Sequence, residues 1–313
     1  MLRDFDDVLK AVEAEDPRAI AVAAANDSTI VEAMKRALEA DVATPTFFGE
    51  AAKIRQMARE LSWRIPDDWV HDVPDPLQAA VEAVRAVREK RCDVLMKGMI
   101  HTDDFLRAVL DKENGLRSGV VMSHVFVLEL RDQKRFVFVT DGAMNIAPDL
   151  ERKAEIVLNA VYLANAFGFE MPRVAAVAAV ELVNPAMPAT MEAAALAKMA
   201  ERRQFPNCVI DGPLGLDNAV STVAAKIKRI DSPVAGQADI LLVPDIEAGN
   251  VLVKCFSHLG RGRTAGVLIG ATTPVVLTSR ADTATDKYLS AAVAVLVANM
   301  QRTGRLKLGR VHY

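Results

Sequence analysis

A chain of 313 residues and 33.9 kDa has room for one large domain or two medium ones, and 51% hydrophobic against 25% charged residues excludes a mainly disordered chain. Lys+Arg (38) nearly balances Asp+Glu (41), giving a net charge of -3, so no global basic field is available for a nucleic-acid backbone and nucleic acid is not an expected partner. Cys92, Cys208 and Cys255 are far apart with no C-x-x-C pair, which excludes a disulfide framework and a thiolate zinc site and fits a reducing cytoplasm.

The N-terminal segment MLRDFDDVLKAVEAED is acidic and amphipathic, unlike the basic start and apolar block of an export signal. Apolar runs of strand length follow at 19–25, 93–96, 135–139, 173–180, 239–243 and 266–270, and most read as strands buried on both faces. Between them, 27–41, 75–90, 150–167, 188–203, 215–228 and 282–303 carry Ala, Leu, Glu and Lys at helical spacing. This alternation predicts an α/β protein with a mainly parallel sheet, and the crossover at 111–119, DKENGLRSG, is the expected domain boundary. The most apolar stretches, 174–180 and 288–300, are shorter than the roughly 20 residues of a membrane span, so no membrane partner is expected.

Ligands of open α/β sheets bind where loops leave the carboxyl ends of strands, which singles out five loops. Lys97-Gly98-Met99-Ile100-His101-Thr102 follows a buried strand and leads into a helix read as capped by Thr102, a setting that suits an anion as well as an ordinary turn, with Arg107 one turn on. Thr140 to Pro148 offers Asp141 and Asn145 beside small residues, although Asp-Gly and Pro before a helix are also plain turn signals. Glu181 to Pro188 is stiffened by two prolines and reads chiefly as a strand end. Pro244 to Asn250 gathers Asp245, Gly249 and Asn250 and puts Asn250 and Lys254 on one helical face, with Asp245 as a candidate cap. Thr278 to Asp286 crowds Ser279, Arg280, Asp282 and Asp286 at the start of the last long helix, where Ser279 and Asp282 match a capping box.

Several motifs are set aside. Gly260-x-Gly262-x-x-x-Gly266 follows a helix and precedes a strand, the reverse of a dinucleotide loop, and no P-loop, nucleophile elbow or zincin motif occurs. The five histidines are scattered, so no metal is expected, and Cys255 reads as a buried thiol on an amphipathic helix.

The blocks MKGMIHTDDFLRAVL (96–110), VTDGAMNIAPDLERKAEI (139–156), DGPLGLDNAV (211–220), SPVAGQADILLVPDIEAGNVLVK (232–254) and TPVVLTSRADTATD (273–286) resemble the phosphate acetyltransferase and phosphate butyryltransferase family, in the family's order. Lys97-Gly98, the TDGAMNIAP loop and ELVNPAMPAT are more similar to the butyryl branch. An arginine that acetyl enzymes carry before the Lys-Gly block has no distinct counterpart here, only Arg85, Arg88 and Arg91 in the right region.

The resemblance implies two α/β lobes with mainly parallel sheets and an interdomain cleft, divided here as 1–117 with 267–313, and 118–266. It implies the reaction acyl-CoA + phosphate ⇌ acyl phosphate + CoA, by direct transfer in a ternary complex, in a cytoplasmic homodimer needing no cofactor beyond its substrates. By the same resemblance Asp286 is the base for the CoA thiol, Ser279 bonds near the reacting sulfur or carbonyl, and Arg280 and Arg107 hold phosphate. Lys97, His101, Thr102, Asn145, Asn250 and Lys254 are the further substrate-binding candidates. The Ala- and Val-rich stretch 289–299 offers apolar surface for a partner or for the core. The competing readings are a nicotinamide-dependent dehydrogenase of similar two-lobed architecture and a noncatalytic CoA-binding protein.

Overall fold

The computed structural model describes residues 1–312 and alternates helix with strand along the chain. The strands are β1 (Arg18–Ala23), β2 (Ala43–Gly49), β3 (Val70–Asp72), β4 (Val94–Lys97), β5 (Ser123–Leu130), β6 (Arg135–Thr140), β7 (Arg173–Val177), β8 (Val209–Leu214), β9 (Ile240–Leu242), β10 (Thr264–Ile269) and β11 (Val275–Val276). They fall into two compact units: Phe5–Val120 with Thr264–Thr303, and Val121–Arg263 with Met1–Asp4 and the segment from Gly304.

In the first unit the strand order is β3-β2-β1-β4-β11-β10, and every neighbouring pair is parallel except β10 with β11. β1 is flanked by β2 and β4 and is buried along nearly its whole length, as its run of Ala, Ile and Val requires for a strand covered on both faces. The helix Ala284–Arg302 packs on this sheet and buries Leu289 to Asn299. The apolar stretch 289–299 is therefore core within the chain and supplies no surface for a partner.

In the second unit the order is β5-β6-β9-β7-β8, with β5 and β6 antiparallel and the remaining pairs parallel. Its core joins the β6, β7 and β9 side chains Val137, Val139, Ala175 and Leu241 to Ala219, Ala225 and Val253 of the covering helices. The mixed α/β architecture with mainly parallel pairing agrees with the expectation from strand and helix alternation.

The termini differ from the division read from the sequence. Residues 1–4 and the segment from Gly304 cluster with the second unit, where the Leu2 N–H donates to the Phe167 carbonyl (2.8 Å) and the His312 N–H to the Gln204 carbonyl (3.0 Å). These contacts are far apart in sequence, and no local pattern encodes them. Among the described residues no helix is long and apolar enough to cross a membrane.

Candidate active site

Parallel pairing brings the carboxyl ends of β1, β4 and β11 side by side in the first unit. After β1, Ala24 turns into the left-handed region (φ 52°), and Asp27 caps the helix Ser28–Glu39 by accepting from the Ile30 N–H at 3.0 Å. After β4 the chain passes Gly98, and the Met99 N–H donates back to the Ala24 carbonyl at 2.8 Å. A Cβ on Gly98 would overlap the carbonyl oxygens of Ala23 and Ala24, so only glycine lets this loop lie against the end of β1.

The helix that follows, Thr102–Val109, starts with His101 as its N-cap, not Thr102, and His101 makes no side-chain capping bond. Its first N–H groups thus lack the usual oxygen partner. Arg107 lies on the exposed side of this helix, its side chain 74% exposed and paired with Asp104 at 3.0 Å. Such a pair adds little to the fold, so Arg107→Ala should leave the melting temperature nearly unchanged. If Arg107 holds phosphate, steady-state kinetics of this variant will show a raised phosphate KM; an unchanged KM at full kcat would show a merely solvated side chain.

The loop after β11 carries the densest chemistry. Ser279 and Asp282 close a turn: the Ser279 N–H donates to Asp282 Oδ2 (2.8 Å) and the Ala281 N–H to Ser279 Oγ (3.3 Å). The capping box of the helix Ala284–Arg302 lies one step later, in Thr283 and Asp286. There the Thr283 N–H and Oγ1 donate to Asp286 Oδ2 at 3.2 and 2.5 Å, and the Asp286 N–H donates to Thr283 Oγ1 at 3.1 Å. The S/T-x-x-D pattern occurs twice in succession, and the copy adjoining the apolar run is the one that starts the helix. Asp286 Oδ1 takes no part in the box.

Lys287, which the sequence reading passed over, is 2% exposed. Its Nζ donates to the Asp282 carbonyl (2.6 Å) and Thr29 Oγ1 (2.7 Å), tying the loop after β11 to the helix after β1. Burial lowers its pKa, while Asp27, Asp282 and Asp286 oppose that shift. Lys97, the last residue of β4, is also 2% exposed, and its only side-chain hydrogen bond among the described residues runs from Nζ to the Gly98 carbonyl at 3.3 Å. Burial brings its pKa down to about 8, with the positive charges of Arg280 and Lys287 adding to the effect and Asp282 opposing it. Arg280 is exposed and makes no ion pair among the described residues. A run of Asn, Asp, Ser and Thr after a buried strand was the one sequence signal for the β1 part of this cluster.

In the second unit the ends of β6 and β9, again parallel neighbours, bring together the other candidates. Buried Asp141 accepts from the N–H groups of Ala143 (2.9 Å), Met144 (3.0 Å) and Asn145 (3.2 Å), which makes it the organiser of its loop. Asn145 Nδ2 donates to Asp141 Oδ2 (2.7 Å) and the Met122 carbonyl (2.9 Å). Asn250 Nδ2 donates to the Gly142 carbonyl (3.2 Å), across a close approach of Gly142 and Gly249 where a Cβ on either would meet backbone within 2.8 Å. Asp245 caps the helix Ile246–Lys254 through the Ala248 N–H (2.8 Å), and Lys254 ends it, exposed.

The structure thus groups Lys97, His101, Thr102, Arg107, Ser279, Arg280 and Asp286 at the ends of β4 and β11 and in the loops and helices that follow them in the first unit, and Asn145, Asn250 and Lys254 in the loops and helices that follow β6 and β9 in the second. Arg85 and Arg91 pair with Glu89, and Arg88 donates to Asn114 Oδ1 at 2.8 Å, so all three are engaged on the surface. Cys255 is exposed, not buried, because the helix Ile246–Lys254 runs on into a π-helical turn, Cys255–Leu259. Cys208 is buried, and burial pushes its thiol up to about 12.

Comparison with known proteins places the chain among the phosphate acyltransferases. Residues 70–295 match the family model described as Phosphate acetyl/butaryl transferase, and the chain belongs to that family. It is 43% identical to the phosphate butyryltransferase of Clostridium beijerinckii, over 95% of this chain and 99% of that protein. It is 46% identical to the phosphate acetyltransferase of Thermotoga maritima, over 89% of this chain and 95% of that protein. The crystal structure of a branched-chain phosphotransacylase from Enterococcus faecalis superposes with a TM-score of 0.78 at 32% identity, covering 90% of this chain and 99% of that one.

Proposed function

We propose that this enzyme moves a short-chain acyl group, in the range from acetyl to butyryl, directly between CoA and inorganic phosphate. The observation that carries the reading is the loop after β11, where Ser279, Arg280 and Asp286 stand beside the buried cations Lys97 and Lys287. In the direction that makes acyl-CoA, Asp286 takes the thiol proton through Oδ1, the oxygen outside the capping box, and the thiolate attacks the acyl carbon of the acyl phosphate. The carbon–oxygen bond to phosphate then breaks, and the proton passes to the departing phosphate. Ser279 Oγ, whose own hydrogen is not used in its turn, donates to the carbonyl oxygen as charge builds there, and Arg280 steadies the phosphate.

Asn145, Asn250, Lys254, His101, Thr102 and Arg107 are assigned to substrate binding. The substrates supply all the atoms exchanged, so the proposed reaction uses no further cofactor. A cytoplasmic homodimer is part of the same reading, supported by widely spaced free thiols and by Val223 and Ile227, exposed one turn apart on the helix Thr222–Ile227. Light scattering at micromolar concentration tests it, and a monomer mass throughout would overturn it. Initial rates with both substrates varied test direct transfer: intersecting reciprocal plots are expected, and parallel plots would point to an acyl-enzyme intermediate.

A further inference from the structure

Lys97 ends a central strand, 98% of its surface removed from solvent, with three N–H donors and a single acceptor 3.3 Å away. The net field of its charged neighbours is positive, since Arg280 and Lys287 outweigh Asp282. Two residues past the paired strand β11, on the neighbouring strand end, the hydroxyl of Thr278 is buried without a hydrogen-bond partner among the described residues. The nearby carboxylates each accept from backbone: Asp27 Oδ1 caps one helix, Asp282 Oδ2 closes the Ser279 turn, and Asp286 Oδ2 belongs to the capping box of another helix. Buried donors left over in a positive field lack an anion.

We propose that Lys97, with Arg280 and the Thr278 hydroxyl, forms the subsite that clamps the phosphoryl group of phosphate and acyl phosphate, while Lys287 holds the loop in place from behind. The proposal rests on the acyltransferase reading and deepens it. Lys287 spends two donors on the Asp282 carbonyl and Thr29, which suits a positioning residue, whereas Lys97 keeps two donors for the ligand.

A consequence follows for pH. Burial brings the pKa of Lys97 down to about 8, so on the alkaline side of that value Lys97 itself is neutral. A bound phosphate dianion supplies the missing counter-charge and raises the pKa, so binding draws in a proton. Above about pH 8 the apparent Kd for phosphate then rises by up to about tenfold per pH unit, until the pKa of the complex is passed. Arg280, Asp282 and Lys287 face Lys97, and Asp27 and Asp286 stand behind Lys287.

Calorimetric titration of the whole protein with inorganic phosphate tests the clamp, run between pH 7.5 and 9.5 (a range of about two units around the expected step) in two buffers of different ionisation enthalpy. Net proton uptake and a Kd that climbs with pH are expected in the wild type. Lys97→Arg should bind with a nearly pH-independent Kd, and Lys97→Met should bind about 10- to 100-fold more weakly. Phosphate binding without proton uptake in the wild type, or a Lys97→Met variant with the wild-type Kd, would overturn the proposal even if Lys97→Met proved poorly folded in other respects. Acyl exchange in a wild type whose phosphate binding is flat with pH would overturn the clamp and leave the acyltransferase reading standing. Proton-linked phosphate binding in a chain that exchanges no acyl group would do the reverse.

Discussion

Asp286→Asn is expected to slow acyl exchange about 10²- to 10⁴-fold while CoA still binds. An amide keeps the shape of the carboxylate and one acceptor oxygen, so the bonds from the Thr283 N–H and hydroxyl to this side chain survive. What it loses is the ability to take a proton. It also gives up a negative charge in the first turn of the helix Ala284–Arg302, which costs about 0.3 to 1 kcal/mol through the helix dipole. Measuring kcat and the melting temperature on the same variant separates the two roles. Near-normal turnover with a lowered melting temperature would reduce Asp286 to a cap and leave the thiol to deprotonate through Ser279 or solvent.

Gly98→Ala should remove both activity and much of the stability of the first unit. The added methyl group would sit inside the carbonyl oxygens of Ala23 and Ala24 and only 2.8 Å from the Ala24 carbonyl carbon. All three atoms are backbone of the central strand end, so no flexible side chain can yield. Overpacking of this kind costs about 1 to 3 kcal/mol, and more where backbone must move. Because β1, β4 and β11 are consecutive neighbours, a shift of the Gly98 loop also displaces Lys97 relative to Ser279 and Arg280. Thermal unfolding followed by circular dichroism, with the thiol-release rate on the same sample, checks this. A variant with wild-type melting temperature and turnover would show that the loop has slack the structure does not give it.

The strands that were legible in the sequence are β1, β4, β6, β7, β9 and β10, whose short apolar runs mostly read as strands buried on both faces. Others were hidden by their own chemistry. β5 contains Ser123, His124 and Glu129, all buried, and Glu129 is made tolerable by Arg263 at 3.1 Å, a partner far along the chain. β2 is interrupted by Pro45, β8 by Gly212-Pro213, and β11 has only two residues. The site was legible where a loop carries unusual polar residues after an apolar run, as with Lys97 and Ser279-Arg280. It was illegible for Lys287, because Asp-Lys at a helix start reads as solvated charge, and only the packing of that helix on the sheet turns Lys287 inward. The second unit's Asp141 was noticed as a candidate ligand group, yet its carboxylate is taken up by its own loop. Sequence shows that a carboxylate is present; hydrogen-bond geometry shows what it has left to give.

Phosphate-dependent release of free thiol from butyryl-CoA and acetyl-CoA, followed with the wild type and with Arg280→Gln side by side, is the most direct test of the central claim. Rapid release by the wild type that vanishes when phosphate is omitted, and a loss of about 10²- to 10³-fold in Arg280→Gln at unchanged melting temperature, are the predicted results. Thiol release that ignores phosphate, or equal rates in the two proteins, would contradict the assignment of acyl exchange to the loop after β11.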